Sequence, residues 1–272
     1  MNNKDEKWAL VTGASGGLGE AFARRLAAEG WNLLLAARSR EKLETAAAEA
    51  RKLSGRNAEI FPCDLSGDRA GRLLYDAIAA RGIKVDLIIN NAGAGLFGES
   101  VELDQDRVAA MLRLDVLSLT ELSSLFGADM KARGSGSILN VASVAGRAPM
   151  PYFASYGAAK SYVFSYSLAL RAELAPYGVR VCCLLPGYIR TSFDSSAGIT
   201  SPRYRAFSDR NAMSPEAVAT CGLDCLRRGR GYAAAGLMNK LSLFGMALLP
   251  VSRIPFIMKP TLDSLMSSKE KK

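Results

Sequence analysis

The chain has 272 residues, 49% of them hydrophobic, and a formal net charge of +9. That length fits one large α/β domain or two small ones, with ample material for a core. The charge suits an anionic ligand, but Lys and Arg are scattered among Asp and Glu with no basic run interleaved with aromatics, which argues against nucleic-acid binding.

Lys7 to Thr12 reads as a buried strand, followed by a glycine-rich turn and a helix through Glu29. Trp31 to Ala37 is a second strand and Arg40 to Leu53 a second helix. Ala58 to Cys63 forms a third strand, followed by a helix near Arg69 to Arg81. Val85 to Asn90 is a fourth strand, and a long helix spans about Asp106 to Ala132. Ser137 to Ala142 is a fifth strand, followed by a helix from about Ser155 to Ala175. Val179 to Leu185 is a sixth strand and Tyr232 to Ala235 a short seventh. Strands of this length alternating with helices imply parallel crossovers and a Rossmann-type, doubly wound α/β sheet with helices on both faces.

Tyr188 to Met213 breaks the rhythm and reads as a lid near 188–213. Ser214-Pro215-Glu216 then carries the signature of a helix start, an N-cap serine with proline at the first position. A single catalytic domain over 1–239 is thus followed by an extension over 240–272. Leu241 to Met258 is apolar, but Pro250, Arg253 and Pro255 interrupt it, so it lacks the roughly 20 uninterrupted apolar residues of a spanning helix. Two readings stand: a pair of short helices packed on the domain or a second subunit, or a peripheral membrane contact through 241–258 aided by Lys240 and Lys259. Ser267 to Lys272 reads as a frayed tail.

Five cysteines, Cys63, Cys182, Cys183, Cys221 and Cys225, lie in apolar segments, and the N-terminal residues carry no secretory signature. Reduced thiols in a cytoplasmic protein are expected. Without histidine or a second tight cysteine pair, Cys221 and Cys225 do not make a metal site.

Three segments carry chemistry. Thr12-Gly13-Ala14-Ser15-Gly16-Gly17-Leu18-Gly19 sits between the first strand and first helix, where glycines let the backbone approach a pyrophosphate met by the helix N-terminus. The second strand ends in Ala36-Ala37-Arg38-Ser39 with no carboxylate to hold a ribose. Arg38, helped by Ser39, can instead meet a 2′-phosphate, which makes NADP(H) the expected cofactor. Tyr156 and Lys160 are one helical turn apart, so the ammonium sits beside the phenol and is expected to lower its pKa.

With these placed, the chain strongly resembles the short-chain dehydrogenase/reductase family over roughly Lys7 to Ala235. The glycine loop fits both the compact and the extended branch. Asn90-Asn91-Ala92-Gly93 after the fourth strand, the length, and Pro186-Gly187 after the sixth strand agree with the compact one. The resemblance implies that Gly13, Ser15, Gly17, Leu18 and Gly19 hold the cofactor phosphates and that Asp64 lies beside the adenine. It implies further that Asn90, Asn91, Ala92 and Gly93 line the cofactor cleft, with Pro186, Gly187, Ile189 and Thr191 near the nicotinamide. Ser143 would hydrogen-bond the substrate carbonyl, Tyr156 would donate the proton, and Lys160 would tune the tyrosine and hold the nicotinamide ribose.

One position departs. Where the family usually carries asparagine after the fourth strand, this chain has Asp115, which places a possible charge near Lys160. Activity with altered pH dependence is therefore expected, as hydride transfer between NADP(H) and a ketone or secondary alcohol. The competing reading is a non-catalytic NADP(H)-binding sensor or scaffold, but only an enzyme requires Ser143, Tyr156 and Lys160 together. Leu96, Phe97, Met150, Tyr152, Tyr188 and Phe193 fall in loops bordering the cleft and suggest an apolar substrate, such as a 3-oxoacyl compound or another ketone. The helices over 106–132 and 155–175 resemble those that build homodimer and homotetramer interfaces in the family.

Overall fold

Short buried strands alternate with helices throughout the computed structural model, which describes residues 6–266. The tail from Ser267 to Lys272, read above as frayed, lies outside the described residues. In chain order come β1 (Trp8–Thr12), α1 (Gly17–Ala28), β2 (Asn32–Ala37), α2 (Arg40–Ser54), β3 (Ala58–Pro62), α3 (Ala70–Ala79) and β4 (Val85–Asn90). Next are α4 (Gln105–Leu112), a π-helical segment (Arg113–Ser118), α5 (Leu119–Arg133), β5 (Gly136–Val141), α6 (Ala154–Leu174) and β6 (Val179–Leu185). The chain continues through α7 (Phe193–Ser196), α8 (Pro202–Asn211), α9 (Pro215–Arg227), β7 (Tyr232–Ala234), α10 (Leu237–Ala247) and α11 (Ile254–Met266).

The strands form one parallel sheet of seven, ordered β3-β2-β1-β4-β5-β6-β7, in a single Rossmann-type domain. Strands covered on both faces read as continuous apolar runs. In β2, Leu33 and Leu35 face the core under α1 and α2, while Leu34 and Ala36 face the opposite core, which also takes in residues of α3, α5 and α6. The strand order reverses beside β1, which opens a crevice between the loops that follow β1 and β4. As the sequence signature suggested, Ser214 caps α9 by accepting from Ala217 N, with Pro215 in the first turn.

Within the fold, the helix over 106–132, Asn90 and the cysteines depart from the sequence reading. The helix expected over 106–132 is not uniform: the π-helical turn puts an extra residue into the coil and rotates Asp115 and Ser118 inward. Ser118 Oγ then donates to Leu65 O at 2.7 Å. Asn90, expected to line the cleft, points its side chain into the core instead. Its Nδ2 donates to Ser123 Oγ and Asn140 Oδ1, both at 2.9 Å, and Asn140 Nδ2 donates to Ser167 Oγ at 3.0 Å. A buried polar network therefore joins β4, β5, α5 and α6. Finally, the cysteines are not all free thiols, because Cys182 and Cys225 are joined in a disulfide. Cys182 on β6 and Cys225 on α9 face the same core, a proximity that a sequence separation of 43 hides.

Replacing Asn140 by Leu removes one hydrogen bond from Asn90 and one from Ser167, which keep Ser123 and Val163 as partners. Each lost hydrogen bond is worth about 0.5–1.5 kcal/mol net, so the urea midpoint of Asn140→Leu is expected to fall below wild type. An unchanged midpoint would show that the network adds nothing to stability.

Candidate active site

Thr12 and Asn91 hold the crevice together. Thr12 Oγ1 donates to Ile89 O at 3.3 Å and accepts from the backbone N–H groups of Asn91 and Ala92, both at 3.0 Å. Asn91 Nδ2 donates to Thr12 O at 2.9 Å. The side chain of Asn91 thus ties the glycine loop to β4. A Cβ on Gly19 would overlap the carbonyl oxygen of Gly13, so the loop can turn this tightly only with glycine there. Gly17 has φ +56°, and a Cβ there would come within 2.9 Å of Thr191 Cγ2, which places Thr191 directly across the loop. Ser15 and Gly17 are part-exposed, whereas Leu18 is buried in the core beneath them.

The N-terminus of α1 carries no side-chain cap, and space over Gly16 is open. Uncapped N–H donors at a helix start, beside a cradle that a Cβ would fill, fit a pyrophosphate. Arg38 is exposed at the end of β2. Ser39, however, spends its Oγ as the N-cap of α2, accepting from Lys42 N at 3.3 Å. Asp64 accepts from Ser66 N at 2.9 Å and from Ser66 Oγ at 2.7 Å. Those bonds, with a smaller contribution from the Arg38 guanidinium, hold its carboxyl below the usual carboxylate range.

At the other end of the crevice, Lys160 Nζ lies 2.9 Å from Asp115 Oδ2, with both side chains almost wholly buried at 5% and 0% exposure. Ala94 N donates to Asp115 Oδ1 at 2.8 Å, and Lys160 Nζ donates to Val141 O at 3.3 Å. A Cβ on Gly93 would sit 3.1 Å from Lys160 Nζ and 3.2 Å from Asp115 Oδ1, so glycine keeps the space over the pair clear. Burial pulls the Lys160 ammonium down, but Asp115 and Tyr156 facing it outweigh that and hold its pKa above the ordinary value. Burial also pushes the Asp115 carboxyl up, against the pull of Lys160 and of the Ala94 N–H. The short contact and the added donor point to a charged pair, since each ion offsets the desolvation of the other.

The buried ring of Tyr156 lies 5.6 Å from Lys160 Nζ. Burial raises the pKa of its phenol, Lys160 lowers it, Asp115 raises it again, and the neighbouring Ser143 hydroxyl lowers it slightly. The net direction is upward. This corrects the expectation that the lysine would bring the phenol down: desolvation is the largest influence, and Asp115 answers the lysine's charge. Ser143 lies two residues past β5, donates to Pro186 O at 3.4 Å and accepts from Ala145 N at 3.1 Å, so its hydroxyl caps a turn while lying beside the phenol. Pro186 O also accepts from Val144 N at 2.9 Å. Ile189 bridges to Met213, and Gly187 packs so closely on Asn239 of α10 that a Cβ would overlap it.

An apolar cluster surrounds the phenol. Phe193 lies 5.5 Å and Phe153 5.7 Å from the Tyr156 ring, and Phe97 lies 4.9 Å from Phe153. Leu96, Met150, Tyr152 and Tyr188, expected at the cleft, belong to the same cluster. Lid residues thus close over the tyrosine, and Gly95 leaves the room that Phe193 occupies. Sequence reasoning missed the Ala94 N–H, the vacant face of Gly93 and the contact of Asn239 with Gly187. The run Gly93-Ala94-Gly95 of small residues was the available signal for the first two.

Comparisons with known proteins agree with this geometry. Residues 7–200 match the family model described as short chain dehydrogenase. A very-long-chain 3-oxoacyl-CoA reductase of Anas platyrhynchos is 31% identical over 229 residues, covering 82% of this chain and 71% of the relative. A short-chain dehydrogenase from Sphingobium yanoikuyae in complex with NADPH gives a TM-score of 0.77 at 27% identity, covering 97% of this chain and 96% of that one. An NAD+-bound xylitol dehydrogenase gives 0.74 at 26% identity, covering 86% and 100%.

Proposed function

Because the chain belongs to the short-chain dehydrogenase/reductase family and is an oxidoreductase acting between CH–OH and C=O groups, we propose that it is an NADP(H)-dependent ketoreductase for apolar carbonyl substrates. The observation that carries this reading is the Ser143 hydroxyl beside a buried Tyr156 phenol backed by Lys160, at the end of the crevice away from the glycine loop. A bound nicotinamide would supply or accept the hydride.

The chain's own residues bind, orient and manage the proton. The backbone of Gly13, Ser15, Gly17, Leu18 and Gly19 offers N–H groups to a pyrophosphate, and Thr191 faces that loop. Arg38 would supply the cation for a 2′-phosphate and Asp64 would border the adenine, whereas Ser39 is held by its helix cap. Ala92 and Gly93 would border the nicotinamide with Pro186, Gly187 and Ile189, and Lys160 would hold a ribose hydroxyl.

In reduction, Ser143 and Tyr156 polarise the carbonyl oxygen, and Tyr156 Oη gives up its proton as negative charge develops there. A phenol kept protonated by burial is in the right form for that step over the neutral range. Oxidation needs the phenolate and is favoured as pH rises. Asp115 is a positioning residue that holds Lys160 in place and, by answering its charge, keeps Tyr156 in the acid form.

The aromatic and aliphatic walls around Tyr156 suit an apolar ketone, and the name of the duck relative points to a 3-oxoacyl group as a first substrate to try. Assembly as a homodimer or homotetramer would use the outer faces of α5 and α6, where Tyr162 and Tyr166 stack at 5.7 Å.

Three measurements test these assignments. Tyr156→Phe is expected to lower turnover about 10²- to 10⁴-fold while NADPH still binds, as read by its fluorescence; near-full turnover rejects the mechanism. Arg38→Glu should cut the NADPH-over-NADH preference in kcat/KM roughly 10- to 100-fold, the worth of one charge-assisted contact, and an unchanged preference would remove Arg38 from the cofactor site. In Asp115→Asn the carboxylate that raises Tyr156 is gone, so the alkaline rise of alcohol oxidation is expected at lower pH than in wild type. A profile that does not move would free Tyr156 from Asp115.

A further inference from the structure

The C-terminal helices carry apolar surface that the fold leaves uncovered. Leu237, Leu241 and Phe244 recur along one stripe of α10, continued by Leu248 at its C-cap, the spacing with which a globular helix faces its core. Here the stripe faces solvent, with side chains between 54% and 71% exposed, and no residue of α10 is buried. Val251, Phe256 and Ile257 continue the surface past the bend, Phe256 being 79% exposed. Among the described residues no single helix is long and apolar enough to cross a membrane, and the two helical segments meet at 110°. The pair therefore forms an apolar corner with Pro250 at its break.

That corner is fastened to the domain by its other face. Ile254 and Leu262 are buried, and Met258, Leu265 and Met266 pack into the cluster that holds Tyr156. Ser201 Oγ donates to Leu265 O at 2.6 Å, Lys259 Nζ donates to Tyr152 Oη at 3.0 Å, and Tyr152 Oη donates to Asp263. The inner face is a wall of the site, so the outward face is held in a fixed orientation.

Charge selects what covers it. Between Asp224 and Asp263 the sequence has no Asp or Glu. Arg228, Arg230, Lys240 and Arg253 in that stretch make no ion pair among the described residues. A two-fold contact between copies would set this surface against itself, cation facing cation with no acid to answer. An anionic lipid surface answers both the charge and the apolar stripe.

We propose that the α10–α11 corner docks the protein on an anionic bilayer surface. The α10 stripe, Phe256 and Ile257 enter the acyl boundary, and Lys240 and Arg253 sit at the lipid phosphates.

Flotation of the full chain with vesicles tests this, using mixed phosphatidylglycerol and phosphatidylcholine against phosphatidylcholine alone, at about 0.1 M salt so that surface charge is not screened out. Wild type is expected to float with the anionic vesicles and at least tenfold less with the neutral ones. Phe244→Glu/Leu248→Glu and, separately, Lys240→Glu/Arg253→Glu should each lose at least tenfold of that binding. All four residues are exposed and outside the reaction machinery, so circular dichroism and thermal midpoints should match wild type. Wild type remaining in solution with both vesicles overturns the proposal, as does wild-type binding by both folded variants. A sedimentation result in which Phe244→Glu/Leu248→Glu splits a dimer while vesicle binding persists also overturns it, and assigns the surface to a second copy.

Discussion

The buried pair of Lys160 and Asp115 is the constraint around which the site is built. Taking two ions out of water costs several kcal/mol apiece, and only good geometry with further hydrogen bonds offsets it. The structure supplies both. The π-helical turn rotates Asp115 inward, Ala94 N–H donates to its second oxygen, and Val141 O accepts from the ammonium. Gly93 leaves the pair uncrowded. Each feature is local and weak by itself; together they fix the ammonium at one height along α6, and with it the phenol one turn earlier.

That fixed height matters because the sheet presents its reactive groups from different strands. The order reverses beside β1, so the loop after β1 and the strand ends of β4 and β5 converge on one crevice. Thr12 and Asn91 lock the first two together through side-chain bonds to backbone, and the Asn90–Asn140–Ser167 chain locks β4, β5 and α6 beneath them. Polar groups hidden under the site therefore do for position what apolar packing alone, being non-directional, cannot.

The sequence made the elements legible because their signals are local. The apolar runs of β4 and β6 gave their limits, and Ser214-Pro215 marked the start of α9. The same reading located Ser143, Tyr156 and Lys160 but misjudged the sign of the tyrosine shift, since spacing reports who is nearby and not how much water is excluded. Asn90 looked like a cleft residue because its place beside Asn91 is visible, whereas the direction of a side chain at a strand end depends on partners such as Ser123 that lie on another element. The π-helical turn and the Cys182–Cys225 link escaped for a related reason: one is a single residue of phase within a helical pattern, and the other joins distant segments facing one core.

The C-terminal helices show how far periodicity reads correctly and where it stops. Their apolar stripe is legible as helical, and a stripe of that kind would ordinarily announce a buried face. In α11 it does, through Ile254 and Leu262. In α10 the stripe is exposed, and of the helix's apolar residues only Leu243 packs against a core cluster. A core can take only as many apolar faces as it has volume for. Helical spacing therefore tells which residues share a face, and not whether the fold has volume left to bury that face.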